Sequence, residues 1–194
     1  MSLVVFLKGV NVGGHRRIRP TELATQLKKF DVINIGAAGT FVVRKPISQA
    51  KLRAELKRRL PFEAEMMICR GSDILRLAAT NPFAQEPADR SVMQFVTVLA
   101  HLPRSRASTP IVLPRTGDWE FRVLDHVDRF VIGVCRRQMK AIGHFGQLEK
   151  IFGCSGTTRS WSTILKLARI LEERVDQRRG LSPSQSKASR IRRS

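Results

Sequence analysis

Residues 3–17 read LVVFLKGVNVGGHRR, and this stretch decides the fold because an apolar strand runs directly into a glycine-rich loop. The loop ends in the basic residues His15, Arg16 and Arg17. Backbone beside glycine can approach a ligand closely, and the free N–H groups of a helix start attract anions together with nearby cations. The stretch therefore predicts a strand followed by a site for an anionic group.

Strand and helix signals alternate through the first seventy residues. One helix begins with Pro20 at its favoured first position, and Ser48 is a suitable N-cap for the next, whose Leu52 and Leu56 are four residues apart. Apolar, β-branched runs predict strands at residues 3–7, 32–35, 40–44 and 65–70. The order β-α-β-β-α-β is that of a ferredoxin-like split unit.

The second half is less regular and partly echoes the first. A strong strand is predicted at 92–100, a hairpin at 119–135 and a short helix at 145–152. One apolar stripe predicts a long helix over 160–175, whereas residues 103–114 carry no clear signal because of their prolines. The predicted class is α+β, with two ferredoxin-like (split β-α-β) parts at 1–84 and 85–176 and a basic disordered tail at 177–194.

The net charge of +19 on 194 residues is the second strong feature. The tail alone carries six basic residues and no acidic one. The electrostatic field of such a charge attracts polyanions and accelerates their encounter with the protein. An arginine-rich genomic composition would produce the same charge without a function, so the sequence leaves both explanations open.

Composition also indicates the environment of the chain. The longest apolar runs are much shorter than the roughly 20 residues of a membrane span, and the first residues lack a signal-peptide pattern. The three cysteines are odd in number and far apart, so neither a disulfide framework nor a zinc site is indicated. We expect a cytoplasmic protein without membrane contact.

The glycine-rich loop is the first candidate binding site. It matches neither the P-loop pattern nor the dinucleotide fingerprint. If it binds an anion, its backbone at Gly9, Gly13 and Gly14 would approach the ligand, with side-chain donors from Lys8, Asn11 and Arg16. Alternatively, its glycines only permit positive φ angles in a tight connection between strand and helix.

The second candidate is the segment 156–163, which is rich in hydroxyls. Read as a helix start, it places Thr158, Arg159 and Thr163 around unpaired N–H groups that could hold an oxyanion. The structural alternative is plain N-capping by Thr157 or Thr158, with Trp161 in the core.

Residue patterns for other chemistry are not found. The four histidines form no metal-binding spacing, so we expect no metal and no cofactor. The chain has no G-x-S-x-G nucleophile motif, and its low aromatic content of 6% includes no tyrosine, which is little for a base-stacking surface.

Several of these segments together resemble a family. The opening residues 6–14, Asn81-Pro82-Phe83 and the segment 157–163 are similar, in order and spacing, to the bacterial family catalogued as domain of unknown function 1697. The resemblance covers about residues 3–175 and leaves the tail out. It implies an α+β protein of two ferredoxin-like parts and implies no established activity.

The chain departs from the family pattern at four positions. Ala38 and Thr40 stand in a turn that usually reads S-G-N, and Ser160 and Ser162 stand where asparagines are usual. An asparagine amide offers a donor and an acceptor together, so these replacements would weaken a site built from amides.

Two classes of function remain open. One is a binding module for an anionic partner, either nucleic acid bound without sequence preference or a phosphorylated metabolite. The other is an enzyme acting on a small phosphorylated or carboxylated substrate, with the glycine-rich loop and the Arg159 helix start as its anion clamp. The enzyme class lacks a convincing general base in the sequence. A third possibility is an assembly protein whose basic surface is incidental.

Overall fold

The computed structural model of the protein describes residues 1–12, 16–87, 89–103 and 107–178. The first part of the chain forms β1 (Leu3–Leu7), α1 (Pro20–Gln26), a 3-10 turn (Lys28–Phe30), β2 (Val32–Asn34), β3 (Thr40–Val43), α2 (Gln49–Lys57) and β4 (Met66–Arg70). The rest forms α3 (Gly71–Ala79), β5 (Val92–Leu99), β6 (Ile111–Leu113), β7 (Phe121–Val127), β8 (Phe130–Arg136), α4 (Met139–Gly143), α5 (Phe145–Phe152), β9 (Gly156–Ser160) and α6 (Trp161–Arg178).

The first sheet contains the four strands that the sequence predicts in this region. Its order is β2-β3-β1-β4, and neighbouring strands are antiparallel. Strand β1 is central and buried along its whole length, which explains its unbroken apolar run rather than an alternating pattern. Its side chains therefore contribute to a core on each face of the sheet.

Helices α1 and α2 cover one face of the first sheet. Leu52 and Leu56 of α2 are buried, and the Ser48 hydroxyl accepts a hydrogen bond from the Lys51 N–H at 3.2 Å, as the cap prediction requires. They pack with Val5 and Leu7 of β1 in an apolar cluster to which α1 contributes Leu23. The opposite side of α2 presents its cations to solvent.

The second sheet has the order β6-β7-β8-β5-β9, again antiparallel throughout. Strand β6 lies at residues 111–113, in the segment for which the sequence carries no clear signal. The prediction for residues 157–160 is wrong: they form strand β9 rather than a helix start. Their β-branched threonines pair with β5, with Thr158 opposite Thr97.

A shared core joins the two sheets. Val4 and Phe6 of β1 pack in one cluster with Val96 and Val98 of β5, and helices α3 and α6 contribute to the same cluster. Helices α4 and α5 cover the other face of the second sheet. The α+β class with two antiparallel sheets is thus confirmed.

The long helix predicted over 160–175 is present as α6, and it begins at Trp161. Residues 179–194, most of the predicted disordered tail, lie outside the described residues, as do Gly13 and Gly14. Within the described ranges, no helix is long and apolar enough to cross a membrane.

Gly133 in the middle of β8 supplies a stringent test of the packing of the second sheet. A Cβ at this position would lie 2.4 Å from both the Arg122 carbonyl oxygen and the Phe95 ring. We expect Gly133→Ala to lower the free energy of unfolding by about 3 kcal/mol, measured by urea denaturation, because the backbone oxygen cannot move aside.

The matched control is Gly143→Ala at the end of α4, where a Cβ meets no atom within 4 Å. This variant should be neutral or more stable by up to about 1 kcal/mol, because alanine favours helix. Equal stability of the two variants would contradict the described register of β7, β8 and β5.

Candidate functional site

The two predicted segments line one cleft of about 400 Å³ between the sheets. Lys8 and Gly9 come from the connection after β1, and Thr158 and Arg159 come from β9. Helix α5 contributes a further wall through Phe145, Gly146, Leu148 and Glu149. The glycine-rich loop and the threonine-rich segment therefore lie side by side, although they are about 150 residues apart in sequence.

Arg159 is buried at the base of this cleft, with 8% of its surface exposed. All five N–H donors of its guanidinium have acceptors. Nε donates to the Thr40 hydroxyl at 2.7 Å, and Nη1 donates to the Thr157 hydroxyl at 2.9 Å and the Thr158 carbonyl at 2.8 Å. Nη2 donates to the carbonyls of Leu7 at 2.8 Å and Ala38 at 2.6 Å. One side chain thereby connects β9 of the second sheet to β1, β3 and the preceding turn of the first.

Every one of these acceptors is uncharged. Within the described residues, Arg159 makes no ion pair with a carboxylate. Burial lowers the pKa of Arg159 to about 10, so the group remains charged at neutral pH. The Phe6 ring, whose centroid is 5.8 Å from Cζ, adds a weak cation–π contact. The cleft is thus built over a buried positive charge that lacks a counter-charge.

Lys8, unlike Arg159, is surrounded by acidic side chains. Its Nζ lies 2.7 Å from Glu149 Oε1, 2.7 Å from the Ser155 hydroxyl and 3.5 Å from Glu65 Oε1. Partial burial works to lower the pKa of Lys8, but the hydrogen bond and charge of Glu149, with a contribution from Glu65, raise it above its usual value. Lys8 is therefore protonated and engaged with protein partners.

Ser155 lies between Lys8 and Glu65 and donates a short hydrogen bond to Glu65 Oε2. The hydrogen bond from Ser155 lowers the pKa of Glu65. Desolvation opposes this shift, and the positive charge of Lys8 adds to it. A general base near neutral pH needs a pKa close to the working pH, and neither the protonated lysine nor this carboxylate has one. The cluster of Lys8, Ser155 and Glu65 therefore connects segments of the fold, and it does not activate the serine hydroxyl.

The remaining predicted residues have mainly local roles. Asn11 adopts a φ of 58°, donates to the Ala37 carbonyl at 2.8 Å and accepts from the Ile18 N–H at 2.9 Å. Gly9 has a φ of 66°, which favours glycine, and the Arg16 guanidinium lies over it. The loop therefore meets the β2–β3 turn, and the positive-φ explanation of its glycines holds at Gly9.

The helix-start geometry predicted for Arg159 is wrong, because Arg159 lies within strand β9. Ser160, the residue immediately before α6, caps the helix: its hydroxyl bonds the Thr163 hydroxyl at 3.0 Å and accepts from the Thr163 N–H at 3.4 Å. Thr163 thus belongs to the helix cap and does not line the cleft.

Sequence reasoning missed four residues of this site: Glu65, Thr97, Glu149 and Ser155. Each is near the cleft only because strands from distant parts of the chain pair. Thr40 was noted as a departure from the family pattern, and in the structure its hydroxyl is the acceptor for Arg159 Nε. No local motif marks these positions.

A second candidate surface lies on the outer side of the first sheet's helices. We call it the basic face, and it consists of the exposed cations of the 3-10 turn and α2 with its C-cap: Lys28, Lys29, Lys51, Arg53, Lys57 and Arg58. Glu55 lies among them, with its Oε2 at 2.6 Å from Arg59, 3.1 Å from Arg58 and 3.5 Å from Lys29. Three cations thus share one carboxylate oxygen, which leaves a surplus of positive charge.

The lowered pKa of Glu65 predicts a pH-dependent contribution to stability. A depressed pKa means that the stabilisation is complete above the ordinary value of 4.5 and is lost as the pH falls through the folded-state value. We expect Glu65→Gln to be less stable than the wild type by about 0.5 kcal/mol at pH 7 in thermal unfolding, and we expect this difference to decrease as the pH falls below 4.5.

Glu63→Gln is the control for removing a carboxylate nearby, since Glu63 contacts only the exposed Lys57 at 3.4 Å among the described residues. A difference in stability between wild type and Glu65→Gln that does not decrease as the pH falls below 4.5 would show that ionisation of Glu65 is not its source.

Comparison with known proteins bears on the fold and the family of the chain. The chain is similar in structure to the conserved bacterial protein SP0830 from Streptococcus pneumoniae, with a TM-score of 0.56, 15% sequence identity and coverage of 88% of this chain and 98% of that one. At this identity the likeness concerns the fold alone. No curated protein matches the chain. Residues 1–127 match the family model described as protein of unknown function (DUF1697), and the chain belongs to that family.

Proposed function

We propose that this protein binds nucleic acid through the basic face, by contact with backbone phosphates and without sequence preference. The observation that carries the proposal is the cluster around Glu55, where Lys29, Arg58 and Arg59 surround a single carboxylate oxygen. An isolated ion pair is neutral, whereas this cluster has a surplus of positive charge on an exposed helical surface. Phosphate oxygens are the natural partners of such a surplus.

Other cations of the basic face are free to make such contacts. Lys28 and Lys51 are exposed and have no acidic partner in the part of the chain that the structure describes. Lys57 reaches only the exposed Glu63, at 3.4 Å. Exposed pairs of this kind are weak and open readily in favour of another anion.

The charge distribution also favours the basic face over the cleft as the polyanion site. In the cleft, Lys8 is held by two carboxylates and every donor of Arg159 is used within the protein. Residues 16–63, by contrast, contain twelve lysines or arginines and four acidic residues. No observation of comparable weight supports the enzyme alternative.

The absence of sequence preference follows from the residue types on this surface. Base reading needs side chains that enter a groove with fixed hydrogen-bonding geometry, or aromatic platforms on which bases stack. The basic face offers flexible lysines and arginines, and its neighbour Phe30 is half-buried beneath Lys29, whose Nζ is 4.7 Å from the ring centroid. Phosphate contact is the interaction that these groups can make.

Replacing four cations of the basic face tests the proposal. We expect Lys28→Gln, Lys51→Gln, Lys57→Gln and Arg58→Gln, combined in one protein, to weaken binding to a random-sequence duplex by about tenfold or more at low salt. The slope of log K against log salt should become shallower by about two to four, because fewer counterions are released. Fluorescence anisotropy at several salt concentrations measures both quantities.

The matched control removes the same number of charges from exposed positions of the second half: Lys140→Gln, Lys150→Gln, Lys166→Gln and Arg169→Gln. Equal losses in both variants would show that total charge, and not the basic face, determines binding. Wild-type binding that is absent at low salt, or indifferent to salt, would overturn the proposal as a whole. A chain ending at residue 176 measures separately how much the basic tail contributes.

The proposal extends to the architecture and location of the protein. We take residues 1–84 as a ferredoxin-like split unit, which the sheet order β2-β3-β1-β4 and the two helices on one face support. Residues 85–176 would form the second part, which the basic segment 177–194 follows. A cytoplasmic location is proposed because nucleic acid is available there.

A further inference from the structure

We propose that this protein prefers single-stranded nucleic acid, because one unpaired base can lie in an arginine-lined pocket at the edge of the basic face. The inference rests on the proposed function and adds the strand class to it. The pocket has a volume of about 270 Å³ and lies between α1, with the residues before it, and the chain that follows α2. This volume is near the lower limit of about 300 Å³ for small-molecule sites, so the pocket suits a single ring system.

Arg59 connects this pocket to the basic face. It lines the pocket, and its Nη1 lies 2.6 Å from Glu55 Oε2. The same carboxylate oxygen is the partner of Arg58 and Lys29 of the basic face. A strand whose phosphates contact the basic face therefore passes beside the pocket.

The pocket itself carries a surplus of positive charge. Among the described residues, Arg17, Arg19 and Arg59 line it together with one acidic residue, Glu22. Glu22 pairs with Arg19 at 2.8 Å, and both side chains of that pair are exposed, so the pair is weak. Glu55 is shared by Arg59 with two further cations. Arg17 is exposed and has no acidic partner in the described part of the chain.

The cations of the pocket are arginines, and a guanidinium can contact a base as well as a phosphate. It is planar and stacks on aromatic faces, whereas the ammonium group of lysine is a compact point charge. Unpaired bases are held in this way on arginine planes as well as on aromatic rings. Arg17 and Arg19 are exposed, so both are available to stack on a base at the mouth of the pocket.

Apolar side chains form the floor of the pocket. Leu23 and Leu60 are buried, and half-buried Ile18 packs against the same apolar cluster. An unstacked base removes ring surface from water on such a floor. In a duplex, each base lies in the stack and would have to be extruded at an energetic cost before it could enter. Stacking tolerates any base, so the preference for single strands requires no sequence preference.

The test compares three ligands of about 20 nucleotides by fluorescence anisotropy at about 0.15 M salt, where exposed charges are partly screened. The ligands are a random-sequence single strand, an abasic strand with the same number of phosphates, and the corresponding duplex. We expect the single strand to bind at least about fivefold more tightly than either of the others, because it alone offers an unpaired base for stacking.

Arg17→Lys combined with Arg19→Lys keeps both charges and removes two guanidinium planes from the pocket. This variant should bind the single strand and the abasic strand with affinities within about twofold of each other, and its binding of the duplex should be unchanged. The matched control is Arg53→Lys combined with Arg58→Lys, which makes the same exchange on the basic face outside the pocket. The control should keep the preference for the single strand.

Three results would overturn the inference: equal binding of the single strand and the abasic strand, tighter binding of the duplex, or equal effects of the two double variants. In each case, salt-dependent binding that the combined basic-face variant weakens would leave the proposed function standing. If the wild type binds none of the three ligands even at low salt, the proposed function fails and the inference fails with it.

Discussion

The polar connection between the two sheets depends mainly on the guanidinium of Arg159, to which Arg129 adds one hydrogen bond from Nη1 to the Ile68 carbonyl of β4. The Arg159 guanidinium originates in β9 and donates to Leu7 at the end of β1, to Thr40 at the start of β3 and to Ala38 in the turn before it. Removing it would leave several carbonyls and hydroxyls without donors in a buried region, at a cost of about 1 kcal/mol or more for each group. The shared apolar core adds area to this junction, and Arg159 adds directional hydrogen bonds.

This architectural role separates two kinds of positive charge in the molecule. Arg159 and Lys8 are committed to contacts within the protein: Arg159 donates to uncharged acceptors, and Lys8 is paired with the carboxylates of Glu149 and Glu65. The cations of the basic face surround too few carboxylates and remain available to solvent. The proposed binding of nucleic acid therefore uses none of the residues that join the two sheets.

Local sequence signals predicted the first sheet well, because apolar runs, Pro20 and the Ser48 cap act over a few residues. They failed at residues 157–160, where hydroxyl residues beside a strong helix stripe have the same composition as a helix cap. Pairing with β5, some sixty residues away in sequence, determines that this segment is a strand. The partners of Lys8 at Glu65, Glu149 and Ser155 are likewise defined by tertiary structure, so the sequence predicted the cleft's cations but not how they are engaged.

Hydrogen exchange of wild type and Arg159→Met, followed by mass spectrometry on peptides from both sheets, tests the central role of Arg159 most directly. The account predicts that amides of β1 and β3 exchange at least about tenfold faster in the variant, while those of β7 and β8, which Arg159 does not contact, keep their protection. Unchanged protection of β1 and β3, or an equal loss throughout the molecule, would contradict the view that Arg159 is the main polar connection between the two sheets.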